Sequence, residues 1–316
     1  MISKYKTAEE SLYIERSLTD VIKMLSCLMV AIHHYSGYAI STGYDNNIIL
    51  QAFSTQGGYF GVALFFFLSG YGLMKSDQKT HLGAKAFFIK RMGKVFLPVL
   101  LITTIWLPYY WCVMGGNFES FNQIVNDIWW MGDDVMWFVK TLAVQYVLFY
   151  FYTLARVRFP RHRVPMLIVL CVCAFLISYR VELRHAISLP LFYSGVFIAD
   201  YGRESKKYLT TLWFPIVLFC IMLGICYWGR HDMMTFHIMF NYIFILPILV
   251  FFAYFRITMP KIPSWIGGTS FDVYLVHNKV LMSLRYFLGA VPLWAFAVVT
   301  LIATIIFYGL RKHLKI

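Results

Sequence analysis

Charge is what this chain lacks. Only 14% of its 316 residues are Asp, Glu, Lys or Arg, against about 25% in a soluble domain. That scarcity excludes a disordered chain and a coiled coil, and it speaks against an ordinary soluble enzyme. The six cysteines, at 27, 112, 171, 173, 220 and 226, form no Cys-x-x-Cys pair, so neither a zinc site nor a disulfide framework is indicated. No internal repeat, low-complexity stretch or soluble domain stands out, and no loop is longer than a surface connection. What is present is apolar: 60% hydrophobic residues, with 29 Phe, 22 Tyr and 9 Trp, and a mean hydropathy of +0.65. The composition reads as an all-α integral membrane bundle, one domain over residues 1–316, in which any chemistry is done by the helices themselves.

A spanning helix needs about 20 largely apolar residues. Runs of that kind lie near 18–40, 57–75, 88–113, 136–155, 164–179, 186–201, 208–228, 237–255, 270–288 and 291–310, which predicts about ten transmembrane helices. The first run follows a mixed-charge segment with Glu9, Glu10, Glu15 and Asp20 and has no small-residue cleavage site after it, so an uncleaved helix is expected. The loops test the path. With the N-terminus taken as cytoplasmic, 22 of the 28 Lys and Arg fall on the cytoplasmic side. Only Arg180, Arg184 and Arg230 fall opposite, and Lys140, Lys279 and Arg285 lie within runs. That asymmetry is a strong positive-inside signal, with both termini cytoplasmic. It also argues against nucleic acid as a partner, because the cations face anionic lipid rather than forming one patch.

The outer loops differ in kind. Residues 41–56 and 114–135 carry no Lys or Arg, and the second has Glu119, Asp127, Asp133, Asp134, Trp129 and Trp130, with Trp137 at its end. Such side chains can hold a sugar by stacking and hydrogen bonds, or form an interfacial tryptophan belt with solvated carboxylates.

Ionisable groups inside apolar runs are costly and mark candidate sites. The first run carries Lys23, His33 and His34. Eleven helical steps bring His34 about 20° past three full turns from Lys23. The two share a face about 16 Å apart along the axis, while His33 points about 80° to the other side. An imidazole is the natural proton carrier near neutral pH and can act as a general base toward a hydroxyl. It can equally serve as a helix-to-helix hydrogen-bonding group. The third run opens with Lys90, Arg91 and Lys94 on neighbouring positions, a cationic cluster suited to phosphate or to an ordinary basic flank. The second run contains Phe65-Phe66-Phe67-Leu68-Ser69-Gly70-Tyr71-Gly72, whose glycines permit close helix approach. The ninth contains Asp272, Tyr274, His277 and Asn278, able to bind a ligand or to cap and pair.

Together these elements resemble the acyltransferase 3 family of polytopic membrane O-acyltransferases. Lys23 and His34 fit that family's basic residue, ten-residue spacer and histidine; Lys replaces the more frequent Arg. Phe65-Phe66-Phe67-Leu68-Ser69-Gly70 is similar to its FFxxSG element, and Arg91-Met92-Gly93-Lys94 to its RxxR element. Lys94 in the second basic place keeps the charge but gives up a bidentate grip on phosphate. Trp137-Phe138 and Tyr274-Leu275-Val276-His277 also resemble family positions. The likeness extends over essentially the whole chain.

The resemblance implies an acyl-CoA donor, usually acetyl-CoA, entering from the cytoplasm, with no permanently bound cofactor and no metal. It implies a surface glycan or lipid-linked saccharide acceptor, in a bacterial inner or plasma membrane. His34 takes the acceptor's proton, with His33 beside it and an acyl-histidine as the second route. Lys90, Arg91 and Lys94 hold CoA phosphates; Lys23 holds a phosphate or a carboxylate such as Asp20; Ser69 stabilises the oxyanion. Trp137, Tyr274 and His277 are further candidates. Two other readings stand beside this one. A transporter or polysaccharide exporter also has intramembrane histidines, but no repeated halves with matching helix breaks are seen, although Pro98, Pro190 and Pro247 could interrupt helices. A relative that binds without catalysis is the other.

Overall fold

The structure is a computed structural model and describes residues 14–115, 137–181, 186–201, 213–228, 232–254 and 263–316. Among the described residues it is helical, with no strand. The helices are α1 (Arg16–Ser41), α2 (Ile48–Ala52), α3 (Gly58–Lys79), α4 (Ala84–Cys112), α5 (Trp137–Arg158), α6 (Arg163–Val181), α7 (Leu189–Tyr201), α8 (Trp213–Trp228), α9 (Asp232–Tyr254), α10 (Ser264–Leu288) and α11 (Leu293–His313). A π-turn, Phe53–Gly57, joins α2 to α3, so this helical run begins well before the expected residue 57.

A helix lies over each of the ten apolar runs. Among the described residues, five helical segments are long and apolar enough to cross a membrane: Ile48–Lys79, Ala84–Cys112, Trp137–Arg158, Pro160–Arg180 and Leu293–His313. Length and composition thus account for five crossings where ten were expected. Three of the other helices fall short for identifiable reasons. α1 and α10 are long, at 26 and 25 residues, but are diluted by Arg16, Asp20, Lys23, His33 and His34, and by Asp272, His277, Lys279 and Arg285. α7 has only 13 residues, about 20 Å of helix against a hydrocarbon core of about 30 Å. Its residues from Leu189 to Asp200 are all buried, as expected of a helix apolar all round.

The chain divides into two compact units. The first comprises Met1–Ser26, Tyr59–Leu82 and Leu148–Ser264. Within it α7 meets α3 at a reciprocal glycine contact. A Cβ on Gly70 would collide with the Phe192 carbonyl, and one on Gly195 with the Phe67 carbonyl. Each helix therefore sits in the notch of the other, as small residues allow in membrane bundles. Gly72, also expected to pack, is exposed and has open space beside it. α8 packs against α7 and α9, with Phe214 stacked on Phe197 at 4.2 Å between ring centres. Two carboxylates of this unit meet at Arg156. Its Nη1 donates to Asp200 at 2.6 Å and its Nη2 to Asp77 at 3.2 Å, while Gln78 donates to the Ala199 carbonyl at 2.9 Å.

The second unit comprises Cys27–Gly58, Gly83–Val147 and Trp265–Ile316. Here two tyrosines of α1 hold the turn between α10 and α11. Tyr38 Oη accepts from the Val291 N–H at 2.9 Å and donates to the Gly289 carbonyl at 3.0 Å; Tyr35 Oη donates to the Val291 carbonyl at 3.0 Å. Gly289 has φ +69°, a conformation that favours glycine. α10 and α11 are pinned further along by Arg311, which donates to Asp272 at 2.9 Å and to the Gly268 carbonyl at 3.0 Å. Asp272, left open between binding and pairing by its sequence, pairs.

Candidate active site

The second unit brings the imidazoles together. α1 presents His33 and His34 as chain neighbours, with ring centres 5.1 Å apart and edge to face. His33 Nδ1 lies 2.9 Å from the Phe53 carbonyl at the start of the π-turn. A carbonyl only accepts, so Nδ1 carries the proton, and Nε2 is the acceptor nitrogen of the neutral ring. The His33 ring lies against Gly58: a Cβ there would stand 2.6 Å from its Cδ2. Gly58 thus makes the room that His33 occupies, and the π-turn supplies its hydrogen-bond acceptor.

His34 is half-buried and makes no hydrogen bond among the described residues. It is held by ring packing, between His33 and His277, whose ring centre is 5.2 Å away with the planes tilted by 35°. His277 is wholly buried, and its Nδ1 donates to the Val273 carbonyl one turn back, at 3.1 Å. By the same reasoning its Nε2 is an acceptor in the neutral ring. Tyr274 lies 5.8 Å from His277, ring to ring, and Phe138 meets Tyr274 edge-on at 5.2 Å. Trp137 is the next ring, 6.5 Å from Phe138. Residues of α1, α5 and α10 therefore form one continuous row of rings from His33 to Trp137.

The same unit carries the cations of α4. Lys90 and Lys94 are exposed, Arg91 is half-buried, and the Arg91 Nε is buried with no hydrogen-bond partner among the described residues. Lys23 and Ser69, both half-buried, belong to the first unit. Lys23 shares α1 with His34, and Asp20 lies 3.9 Å from Arg16. Glu119, Asp127, Asp133, Asp134, Trp129 and Trp130 of the expected outer loop lie outside the described residues. So do Arg184 and Arg230, and the cytoplasmic candidates Lys4, Lys6, Arg203, Lys206, Lys207, Arg256 and Lys261. Among the described residues no group of three or more His, Cys, Asp or Glu is arranged to hold a metal ion.

A family model described as an acyltransferase domain matches residues 19–312, from the first turns of α1 to the end of α11. The chain belongs to the acyltransferase 3 family. No curated protein and no solved structure matches it. With its apolar helices, this places the chain among membrane acyltransferases, and the row of rings around His34 is the candidate centre. Three of its features escape the sequence: the Gly58 seat, the Phe53 carbonyl, and the meeting of His34 with His277. The Gly57-Gly58 doublet at the head of α3 was a readable signal for the first.

Proposed function

We propose that this membrane acyltransferase is an O-acyltransferase. It moves an acyl group, acetyl in the first instance, from a cytoplasmic acyl-CoA to a hydroxyl of a cell-surface glycan or its lipid-linked precursor. The observation that carries this reading is His34 itself: a half-buried imidazole without a hydrogen bond among the described residues, set beside a second, fully buried imidazole. A base of this kind needs a free lone pair within reach of the proton it takes.

His34 removes the proton of the acceptor hydroxyl as its oxygen attacks the thioester carbonyl carbon. The C–O bond forms, the C–S bond breaks, and the imidazolium returns its proton to the departing CoA sulfur. His277, fixed by the Val273 carbonyl, packs its ring against His34 and limits the directions the His34 ring can face. His33 is the second imidazole available for the proton. Lys90, Arg91 and Lys94 attract the polyanionic end of CoA, with Lys23 as a further cation on the helix of His34. Tyr274 and Trp137 wall the site. The positive-inside pattern supports a path of ten crossings with both termini in the cytoplasm of a bacterial inner or plasma membrane. On that path the donor enters where the cations are, and the acceptor arrives from the opposite face.

The test is transfer of radiolabelled acetyl from acetyl-CoA into membrane glycan in inside-out vesicles, with wild-type or His34→Ala protein at matched levels. Label with wild type alone supports the reading. Equal label from both removes His34 from the chemistry. No label from either acetyl-CoA or succinyl-CoA, with the glycan present, turns the reading toward a transporter.

A further inference from the structure

A cavity of about 290 Å³ lies among α4, α10 and α11, wholly within the second unit. Its walls include Ile105 and Trp106 of α4, Lys279 and Ser283 of α10, and Ile306 and Phe307 of α11. Ile105 and Ile306 are 44% and 66% exposed, so the mouth opens on the apolar outer face of the helices, where lipid tails lie. The volume is about twice that of the ~150 Å³ apolar cavity that takes up benzene, room for one hydrocarbon chain and not two.

One group in this apolar chamber is out of place. Lys279 is 6% exposed, and its ammonium stands 5.3 Å from the ring centre of Trp106. Lys279 lies nine residues before the end of α10, about 13 Å along the axis, too far in for a headgroup held at the membrane surface. An ionisable side chain at such depth marks a site by default. It lies on the face of α10 defined by Val276, Lys279, Val280 and Ser283 at helical spacing, about 160° around the axis from His277 once full turns are removed.

We propose that this cavity binds a single-chain amphiphile with a carboxylate head, a fatty-acid anion, with the chain against Ile105, Ile306 and Phe307 and the carboxylate at Lys279. The chamber's volume limits it to one chain, its mouth selects a ligand that arrives through the bilayer, and its cation selects an acid over a neutral lipid. A carboxylate is small enough to follow its tail into the chamber. The site is separate from the histidine row and does not depend on the acyl-transfer reading.

The experiment uses the full chain in phosphatidylcholine vesicles and reads tryptophan fluorescence as dibromostearic acid or its methyl ester is added at equal mole fraction. The acid is expected to quench more than the ester. That excess is expected to vanish in Trp106→Phe, which removes the reporter, and to need at least tenfold more acid in Lys279→Gln, with ester quenching unchanged. A second variant, Ala303→Phe, narrows the chamber and keeps the lysine; it too is expected to lose the excess. Each variant is first checked for a monodisperse peak in detergent. Equal quenching by acid and ester in the wild type reduces the chamber to general lipid contact and overturns the proposal. So does an excess that survives in Trp106→Phe, or in both Lys279→Gln and Ala303→Phe.

Discussion

The imidazoles of His34 on α1 and His277 on α10 lie 5.2 Å apart, ring centre to ring centre, the first half-buried and the second wholly buried. His277 is fixed by a backbone carbonyl; His34 is fixed only by what surrounds it. The division suits a reactive group and its support.

Replacing the two histidines should therefore have unequal effects. His34→Gln is expected to lower acyl transfer by about 10²–10⁴-fold, the range of general-base catalysis. His277→Gln should lower kcat by up to about 10²-fold, the cost of a slight misplacement, while KM for acyl-CoA holds. Single-turnover transfer in proteoliposomes separates the two.

Gly58→Ala drives a methyl group into the His33 ring. Overpacking of this kind costs about 1–3 kcal/mol, and activity should fall with stability. Gly72→Ala, on an exposed face with open space beside it, should be neutral or slightly stabilising, by up to about 1 kcal/mol from helix propensity. Thermal unfolding in detergent checks the contrast.

Tyr38→Phe removes the acceptor of the Val291 N–H and the donor to the Gly289 carbonyl. Leaving that N–H buried and unanswered should cost about 1–3 kcal/mol. Tyr35→Phe loses one bond to a carbonyl and should cost about 0.5–1.5 kcal/mol. The order of the two melting temperatures is the measurement.

Asp272 is wholly buried against Arg311. Asp272→Ala should destabilise by about 3–5 kcal/mol, because a cation is left in an apolar setting. Asp272→Leu combined with Arg311→Met should recover most of that loss, since neither charge then remains. Denaturation of the single and double variants decides it.

Lys90→Gln and Lys94→Gln should each raise KM for acyl-CoA about two- to fivefold with kcat intact, as expected of exposed charges worth ~0.5–1 kcal/mol. Added salt should blunt the difference. Initial rates across acyl-CoA concentration at two ionic strengths test this.

How legible was all this in the sequence? The relation of Lys23 to His34 was readable because both lie on one helix, where spacing fixes direction. The ten helical segments were readable because apolar runs set them. The approach of His277 to His34 was not, since nothing local to either residue encodes a contact between distant helices. The same holds for Arg156 with Asp77 and Asp200, which lie on three separate helices. Gly70 was readable as a packing residue, but its partner Gly195 was not, and Gly72 shows that a glycine in an apolar helix need not pack at all.

The short helix α7 has a bearing on how the protein is made. Thirteen residues with a buried aspartate in the last turn form a poor candidate for insertion by themselves, since they are shorter than the about 20 apolar residues a span needs. Arg156, which answers Asp200, and Gly70, which receives α7, both precede it in the chain. During synthesis the ribosome thus delivers the counter-charge and the docking notch before the segment that needs them. α7 can leave the translocon against waiting helices, and the order of the helices along the chain is itself an assembly instruction.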